Sequence, residues 1–390
     1  MIDFDFVSPT KIYFGKGKEQ KIGEIISSYS FKRVGIVIGQ GHVKKSGLLD
    51  AVKEKLLENH IEFVVFEGIR PNPTRQECKE LIKVIKDFKV DLLLAIGGGS
   101  VIDAAKNAAC GYYYEGDSFD FNLHKVKPEK ALPIGVILTI AAAGSELSQS
   151  CVIQDDEKGI KNGFLTDLIR PLFVVENPEL TYNLPKKQIA YGIVDIMMHT
   201  MERFFSQSSE FEPADELAAA VLKSVIKIIE KAYKEDSNYE ALASLMLMSS
   251  ISHNGLTGIG KKLMMPVHQL EHALSGKYPE VAHAAGLALI FPNWAKYYLD
   301  IDTAKFAQFG RKVFDINEKD DYTCALQGIK EIEKIYDFLN MPKKFRDLGL
   351  KNVDTLELAK LCTLDDSRPL PHYIKSLDSN EVKKIYDMCL

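Results

Sequence analysis

The sequence has few cysteines, and they are not arranged in pairs. Its 390 residues contain six, none at a spacing typical of a disulfide framework or a thiolate metal site: Cys78, Cys110, Cys151, Cys324, Cys362 and Cys389. In a chain of this length, the pattern predicts reduced thiols and a cytoplasmic protein.

Long apolar runs and clusters of like charge are also missing. The longest apolar stretch, residues 132–143, is too short to cross a bilayer. Residues 1–5 carry no basic segment ahead of an apolar one, so no secretory signal is expected. The 49 basic and 54 acidic residues give a net charge of −5 and are mixed along the chain. The sequence therefore predicts neither nucleic acid nor a membrane as a partner.

The composition is that of an ordinary globular protein. Hydrophobic residues make up 46% and charged residues 26%, which is enough to build a large core. The length predicts two or three domains of about 150 residues each.

The first half alternates short apolar runs with amphipathic stretches. Helices are expected at Leu48–Glu58, Arg75–Phe88 and 101–109. Strands are expected at 34–38, 61–66, 91–96, 133–140 and 172–175. Their continuous apolar character is typical of a parallel sheet covered on both faces. Residues 1–180 are therefore predicted to form a doubly wound α/β domain that binds a dinucleotide.

The second half has a different periodicity. Apolar residues recur every three or four positions, which predicts helices around 217–229, 242–251, 284–294 and 322–339. Pro185 and Pro266 stand at expected first helical positions. Residues 181–390 are predicted to be an all-α domain.

A glycine-rich run separates the third predicted strand from the next helix. Gly97, Gly98 and Gly99 let the backbone approach a diphosphate, and the helix N-terminus presents unpaired amides to it. Ser100 is expected to cap the helix, with Asp103 in the capping-box position. A tight turn without a ligand is the alternative. The spacing is not that of the common dinucleotide fingerprint, and no Walker lysine follows.

Five residues of the second half form a possible metal site. Asp195 and His199 are four apart and share a helix face, His268 and His272 repeat that spacing, and His283 follows. Any four of them could bind iron or zinc. The alternative is that each histidine is an ordinary core or surface residue, and spacing alone leaves the ligand set open. A nucleotide loop and a metal site together favour a dehydrogenase with its active site between the two domains, since hydride must come from a cofactor.

Three segments resemble the iron-containing alcohol dehydrogenases. Residues 97–106 are similar to the glycine-rich signature of that family, 178–202 to its central block and 268–283 to its third. The resemblance runs nearly the whole length of the chain and is closest to the butanol dehydrogenase and aldehyde reductase branch. It implies hydride transfer between NAD(P)(H) and a small primary alcohol or aldehyde, by a homodimer.

The resemblance also implies roles for individual residues. The metal ligands would be Asp195, His199, His268 and His283, holding Fe²⁺ or, as an alternative, Zn²⁺. His272 would remain near the substrate for proton exchange, as the catalytic residue. Asp103 would lie toward the nicotinamide end of the cofactor. Further cofactor contacts would come from Gly98, Gly99, Ser100, Thr139, Ser145 and Lys161.

Three features depart from the family pattern. Ala143 stands where a threonine is usual before Gly144, which removes a hydroxyl group from the phosphate side. Ala284 follows His283 where glycine is usual, and the spacer between His272 and His283 is longer by one residue than is usual in the family. None of these changes removes a proposed ligand.

The turn that follows the predicted strand at residues 34–38 predicts the choice of cofactor. Gly39, Gln40 and His42 lie in it with no carboxylate to repel a 2′-phosphate, and Lys44 and Lys45 add positive charge. NADP(H) is therefore expected, with NAD(H) as the alternative.

Other activities share this two-domain plan. A polyol dehydrogenase would use the same cofactor and metal. A lyase similar to dehydroquinate synthase would need several basic side chains for a phosphorylated acid, and the metal-binding segment lacks them. A non-catalytic nucleotide-binding protein would have no use for four metal ligands.

Overall fold

The structure, a computed structural model, describes residues 2–206, 212–235 and 237–390. Within these ranges there are eight β-strands in two sheets. They are β1 Lys11–Phe14, β2 Arg33–Gly39, β3 Glu62–Ile69, β4 Leu92–Gly97, β5 Ile134–Leu138, β6 Ser150–Asp155, β7 Ile160–Leu165 and β8 Phe173–Glu176.

The larger sheet has six parallel strands in the order β1-β8-β5-β4-β2-β3. The strands β4, β5 and β8 are buried along their whole length, as expected of apolar strands covered on both faces. From β2 the chain passes outward to β3 and then returns to β4 on the other side of β2. The carboxyl ends of β2 and β4 therefore form the switch point where ligands bind in such sheets.

The smaller sheet is an antiparallel hairpin of β6 and β7. The sequence interpretation missed it, because both strands mix polar with apolar residues. A turn that contains Gly159, with φ of 61°, joins them, and a glycine takes this left-handed conformation without strain.

Fifteen α-helices lie in the described ranges. They are α1 Ile22–Ser28, α2 His42–Lys45, α3 Leu48–Glu58, α4 Arg75–Phe88, α5 Gly99–Gly111, α6 Phe119–Asn122, α7 Lys186–Phe204, α8 Glu212–Lys234, α9 Tyr239–His253, α10 Pro266–Lys277, α11 His283–Tyr298, α12 Thr303–Phe314, α13 Asp321–Phe338, α14 Thr355–Thr363 and α15 Ser379–Asp387. None of them is long and apolar enough to span a membrane.

Helix starts follow local chemistry. The hydroxyl of Thr74 accepts a hydrogen bond from the Glu77 amide, and the Glu77 carboxylate accepts one from the Thr74 amide, so a complete capping box begins α4. Pro266 opens α10 as predicted. The prediction for Pro185 was one residue off, since α7 begins at Lys186. The missing N–H of proline is tolerated both at the first helical residue and just before it, so the sequence does not distinguish these positions.

The chain divides into two compact units by its internal contacts. The sheet unit comprises the described residues of Val7–Pro185 and Glu235–Asn254, and therefore includes α9. The helical unit comprises residues 2–6 with the described parts of Lys186–Lys234 and Gly255–Leu390. A domain boundary near residue 180 stays a prediction.

Each unit has its own core. In the sheet unit, side chains of β2 and β4 such as Ile36 and Leu94 pack with those of α1 and α3. In the helical unit, an aromatic cluster surrounds Phe205, whose ring centroid is 4.6 Å from that of Phe306 and 5.8 Å from that of Trp294. Such ring pairs stabilise a core beyond the area they bury.

Candidate metal centre and nucleotide site

Helix α7 carries Asp195 and His199 one turn apart, so both side chains leave the same face. Both are buried. Asp195 Oδ1 lies 3.1 Å from His199 Nδ1. The same nitrogen lies 3.0 Å from the main-chain oxygen of Asp195, a contact that fixes the orientation of the ring.

Helices α10 and α11 bring the remaining histidines to this face. His268 lies in the first turn of α10, and His283 is the first residue of α11. Their Nε2 atoms lie 3.8 Å and 4.0 Å from Asp195 Oδ1. The rings of His268 and His199 are 4.4 Å apart, and those of His268 and His283 are 5.3 Å apart. The structure thus brings together all four ligands that the resemblance implies.

The spacing of these donor atoms fits a bound cation. Donors about 2.1 Å from a tetrahedral ion lie roughly 3.4 Å from one another. The Nε2 atoms of His268 and His283 lie 3.8 and 4.0 Å from Asp195 Oδ1, and one donor atom each of Asp195, His199 and His268 lie within 4.8 Å of one another. Asp195 Oδ1 and His268 Nε2 are both buried and have no hydrogen-bond partner among the described residues. A divalent ion would satisfy both atoms, so the residues fit a metal.

Two glutamates orient the rings of His268 and His283 by bonding to Nδ1, whereas Nε2 of each ring faces Asp195. Glu202, on α7, bonds through its carboxylate to His268 Nδ1 and accepts hydrogen bonds from the amides of Val267 and His268. Glu271, on α10, bonds in the same way to His283 Nδ1. Both glutamates are buried. A carboxylate on one ring nitrogen fixes the tautomer in which the other nitrogen faces a metal.

The sequence interpretation missed these two glutamates. Their helical spacing was the available signal, because Glu202 follows His199 by three residues and Glu271 follows His268 by three. A glutamate in a helix is usually a solvated surface residue, so the spacing alone did not single them out.

The electrostatics show that the carboxylate holds its charge. Burial alone raises the pKa of Asp195, but His199, His268 and His283 outweigh it and hold this pKa well below its usual value. Burial lowers the pKa of His199 to about 4. Burial also lowers that of His268, but Glu202 and Asp195 more than offset this effect and raise it to about 9.

His272 lies beside the other histidines on α10. Its ring centroid is 6.2 Å from that of His268 and 5.7 Å from that of His283. It is partly exposed, as His283 is, whereas His268 is buried. One donor atom each of Glu271, His272 and His283 also lie within 4.8 Å of one another.

In the sheet unit, the glycine loop lies at the carboxyl end of β4. Gly98 is the N-cap of α5, and Gly99 is its first residue. A Cβ at Gly98 would lie 2.3 Å from Cγ2 of the Ile140 side chain, so the loop backbone packs too closely against this side chain for a larger residue. The α5 amides form the type of N-terminus that binds phosphate.

The predicted capping role of Ser100 was wrong. Gly98 caps α5 without a side-chain hydrogen bond, and Ser100 lies inside the first turn. Asp103 does not complete a capping box, because its carboxylate accepts hydrogen bonds from Ser145 Oγ at 2.7 Å and from the Val152 amide at 3.0 Å. Burial raises the pKa of Asp103, against the charges of Lys106 and Lys161.

A fully buried lysine ties this loop region together. Lys106 Nζ donates hydrogen bonds to the main-chain oxygens of Ser145, Ser148 and Ser150 at 2.7 to 2.9 Å, and contacts the hydroxyl groups of Ser145 and Ser148 at 3.0 and 3.1 Å. Burial lowers its pKa to about 8. The segment after β5 is thereby held against α5.

The other predicted cofactor residues lie in the same unit. Gly39 ends β2, and Gln40 and His42 follow it at the switch point. Thr139 follows β5 directly, and its amide donates to the Gly97 oxygen at 3.1 Å. Lys161 lies on β7, buried, and its charge acts on Asp103.

Ala143 packs directly against the glycine loop. A Cβ added at Gly99 would lie 3.1 Å from the Ala143 Cβ. A methyl group therefore occupies the position in which the resemblance places a threonine.

These two sites together define a class of protein, a nucleotide-binding enzyme with a histidine–carboxylate metal centre. Two family models match the chain. One, described as iron-containing alcohol dehydrogenase, matches residues 9–178, and one for the C-terminal region of Fe-containing alcohol dehydrogenases matches residues 189–390.

Individual relatives agree with these matches. NADH-dependent butanol dehydrogenase A of Clostridium acetobutylicum is 40% identical over 388 residues, covering 99% of both chains. NADPH-dependent aldehyde reductase YqhD of Escherichia coli is 33% identical and is matched over 90% of both chains. The crystal structure of NADH-dependent butanol dehydrogenase A from Thermotoga maritima superposes with a TM-score of 0.95 at 33% identity, covering 100% of this chain and 99% of that one.

The chain belongs to the iron-containing alcohol dehydrogenase family. It is an NAD(P)-dependent alcohol dehydrogenase of the butanol dehydrogenase and aldehyde reductase branch. The predictions of fold class, family and enzyme type are thereby confirmed.

Proposed function

We propose that the protein interconverts small primary alcohols and their aldehydes, with Asp195, His199, His268 and His283 as the ligands of one divalent ion. The observation that carries this proposal is the convergence of three imidazoles on one buried carboxylate oxygen. The glutamates behind His268 and His283 support it, because such carboxylates accompany metal-binding histidines.

The ion would supply a Lewis acid that polarises the oxygen of the substrate. The residues of the chain prepare the site for it. Asp195 keeps its negative charge, and His199 is uncharged at neutral pH because its pKa is about 4. Glu202 and Glu271 hold two rings in fixed orientations. We propose Fe²⁺ as the ion, with Zn²⁺ as the alternative, since three imidazoles and one carboxylate suit both.

His272 is proposed to exchange the hydroxyl proton between substrate and solvent. Its support is its position, beside the rings of His268 and His283 and partly exposed to solvent. Imidazole suits this task because its unperturbed pKa of about 6.5 lies near neutral pH.

The cofactor is proposed to bind at the switch point of the sheet. Gly98, Gly99 and Ser100 would contact the pyrophosphate at the start of α5, and Gly39, Gln40 and His42 the adenosine ribose. Asp103, Thr139, Ser145 and Lys161 complete the proposed set. The shared location of these residues at the carboxyl ends of β2, β4 and β5 or beside α5 supports the proposal.

NADP(H) remains the proposed preference, with NAD(H) as the alternative. In its favour, the turn at residues 39–45 contains no carboxylate. Against it, Lys44 forms an ion pair with Glu67 on β3, which reduces the positive potential available to a 2′-phosphate. The names of the relatives include both cofactors.

The substrate class rests on those relatives. Proteins named butanol dehydrogenase and aldehyde reductase are 40% and 33% identical to this chain. The 1,3-propanediol dehydrogenase of Klebsiella pneumoniae, at 25% identity, represents the polyol alternative. A cytoplasmic homodimer stays a prediction, supported by the prevalence of two-fold assemblies.

Anaerobic oxidation of NADPH and NADH in the presence of butanal tests the function. The apoprotein is reconstituted separately with Fe²⁺ and Zn²⁺, and propanediol oxidation is assayed in parallel. We expect butanal turnover that depends on the added metal. Failure to turn over any aldehyde with either cofactor and either metal would overturn the proposal.

A further inference from the structure

Two buried carboxyl groups of the sheet unit contact the same hydroxyl group. Ser250 Oγ, on α9, lies 2.8 Å from Glu146 Oε1 and 2.7 Å from Glu176 Oε1. Glu146 belongs to the short 3-10 turn Ser145–Leu147 after β5, and Glu176 is the last residue of β8. The two residues are 1% and 0% exposed. One oxygen atom therefore joins three elements of the fold.

A count of hydrogens shows that this arrangement needs an extra proton. A serine hydroxyl has one hydrogen, so Ser250 can donate to only one of the two carboxyl oxygens. The other contact is a hydrogen bond only if that carboxyl group donates, and an ionised carboxylate has no hydrogen to donate. Two buried carboxylates against one oxygen would also repel each other strongly.

We propose that Glu176 is protonated at neutral pH and donates to Ser250, which donates in turn to ionised Glu146, so that one shared proton positions the loop of residues 139–147. Glu176, Ser250 and Glu146 are thus positioning residues. None of them is assigned a contact with cofactor or substrate.

The surroundings place the proton on Glu176 rather than on Glu146. Burial raises the pKa of Glu146 as well, but hydrogen bonds, among them those to Ser250 and to Ser249 Oγ at 3.5 Å, and the charge of Lys106 act against this rise. Glu176 Oε2 is buried and has no hydrogen-bond partner in the described part of the chain. Burial and the charge of Glu146 raise the pKa of Glu176 to about 8.

Several charged groups come near this pair from other elements. Lys106 faces Glu146 from α5. Arg170 donates to the Leu147 oxygen at 2.7 Å. Glu19 accepts a hydrogen bond from Asn177, next to Glu176. His253, at the end of α9, packs against Gly144 in the loop. Of the charged groups named here, Glu146 is the one whose charge shifts the pKa of Glu176.

The loop that the shared proton positions is the one on which the proposed cofactor contacts lie. Thr139 and Ser145 belong to it. Helix α9 also holds it at Ala142, whose amide donates to Ser249 Oγ at 3.1 Å. Gly144 lies so close that an added Cβ would be 2.5 Å from the Ser249 oxygen. Loss of the proton leaves two adjacent carboxylates between α9 and the loop, and their repulsion loosens the loop.

This leads to an effect of pH on cofactor affinity. Because the pKa of Glu176 is raised, the stabilising link is complete at low pH and is lost as pH rises through about 8. Cofactor affinity should fall over the same range. This consequence rests on the proposed cofactor site, whereas the shared proton itself does not.

Infrared spectroscopy of the full-length protein tests the proton directly. The carbonyl stretch of a protonated carboxyl group is compared at pH of about 7 in wild type, Glu176→Gln and Ser252→Ala. Ser252 is the matched control, because it lies on the same helix, is buried and bonds to the Ser249 oxygen rather than to either glutamate. We expect the intensity of this band to fall by the contribution of one carboxyl group in Glu176→Gln, and to stay unchanged in Ser252→Ala. Identical bands in wild type and Glu176→Gln would overturn the proposal.

Cofactor titration, followed by the fluorescence of bound NADPH or NADH, tests the consequence. The glutamine amide can donate to Ser250 at every pH, so Glu176→Gln imitates the protonated state. In wild type and Ser252→Ala the Kd should rise roughly tenfold per pH unit above about 8. In Glu176→Gln most of this dependence of the Kd on pH should be lost. Lys106 deprotonates in the same pH range in every variant. The test is therefore the difference in pH dependence between wild type and Glu176→Gln, and not the wild-type profile alone.

The outcomes of this titration separate the two proposals. Parallel curves for wild type and Glu176→Gln overturn the positioning role of the shared proton. Absence of cofactor binding to wild type at about neutral pH overturns the proposed function instead, and the infrared comparison still decides where the proton lies.

Discussion

Glu202 and His268 are 66 positions apart in the sequence, yet the carboxylate of one bonds to Nδ1 of the other inside the helical unit. Glu202 lies on the same helix as Asp195 and His199. A single helix therefore supplies two of the proposed ligands and also the group that orients a third.

Removal of this carboxylate should weaken the metal site while leaving its ligands in place. We expect Glu202→Gln to reduce metal affinity by about 10- to 100-fold, because the amide is a weaker partner for the His268 N–H than a carboxylate. Competitive titration of the apoprotein against a chromogenic chelator measures this. Glu216→Gln is the control, since Glu216 forms an exposed ion pair with Lys312 on the same unit and its loss should not change the affinity. Equal affinity in Glu202→Gln and wild type would contradict the prediction.

Metal binding should release a proton at neutral pH. His268 has a pKa of about 9 in the protein without a bound ion, so it is protonated at pH of about 7 and must lose a proton to bind. His199, with a pKa of about 4, has none to lose there. Apparent affinity should therefore rise by roughly tenfold per pH unit until pH reaches about 9, and then level off. Isothermal titration in buffers of different ionisation enthalpy counts the protons. A count of zero at neutral pH would show that His268 is already neutral.

His272→Ala should separate proton transfer from binding. Metal content and cofactor affinity should remain those of wild type, because His272 is assigned to neither, while kcat falls by about 10²- to 10⁴-fold if it is the general acid–base group. The pH dependence of kcat should lose the ionisation of that group. Loss of the ion from the purified variant would instead make His272 a ligand.

The turn after β2 can be tested for its control of cofactor choice. A carboxylate in Gln40→Asp should repel the 2′-phosphate and accept a hydrogen bond from the 2′-hydroxyl, and so shift kcat/KM toward NADH. The measurement is kcat/KM for both reduced cofactors with one aldehyde. Lys44→Met is informative beside it, because the Lys44 charge is already paired with Glu67 and its loss should change the preference little. A strong wild-type preference for NADH that Gln40→Asp leaves unaltered would show that this turn does not make the choice.

The elements that the sequence predicted best are those whose signals are local. The bounds predicted for α3 and α4 match the structure, because apolar periodicity and, in α4, a capping box mark them. The buried parallel strands were also predicted, since they are continuous apolar runs. The hairpin of β6 and β7 was missed, because its stability comes from cross-strand pairing that no short segment displays.

The residues of the metal site also divide into those that local signals in the sequence indicated and those that only the folded structure brings together. The proposed ligands could be found from helical spacing and from the resemblance to a known family. Glu202 and Glu271 could not, because a glutamate on a helix becomes a buried partner only when another helix brings an imidazole to it. The packing of α9 with the sheet unit is likewise a tertiary property. The apolar face of a helix indicates that the helix packs, but it does not identify the element against which it packs.

Lys106 has a practical consequence for anyone who engineers this protein. Its one ammonium group, which is fully buried, donates to main-chain oxygens of three serines between residues 145 and 150. Surface loops normally accept inserted peptides, new chain termini or grafted sequences because their backbone is solvated. This segment is irregular in part but is constrained like the core, because displacing one of the three serines removes an acceptor from a buried cation. Tags and grafts belong elsewhere.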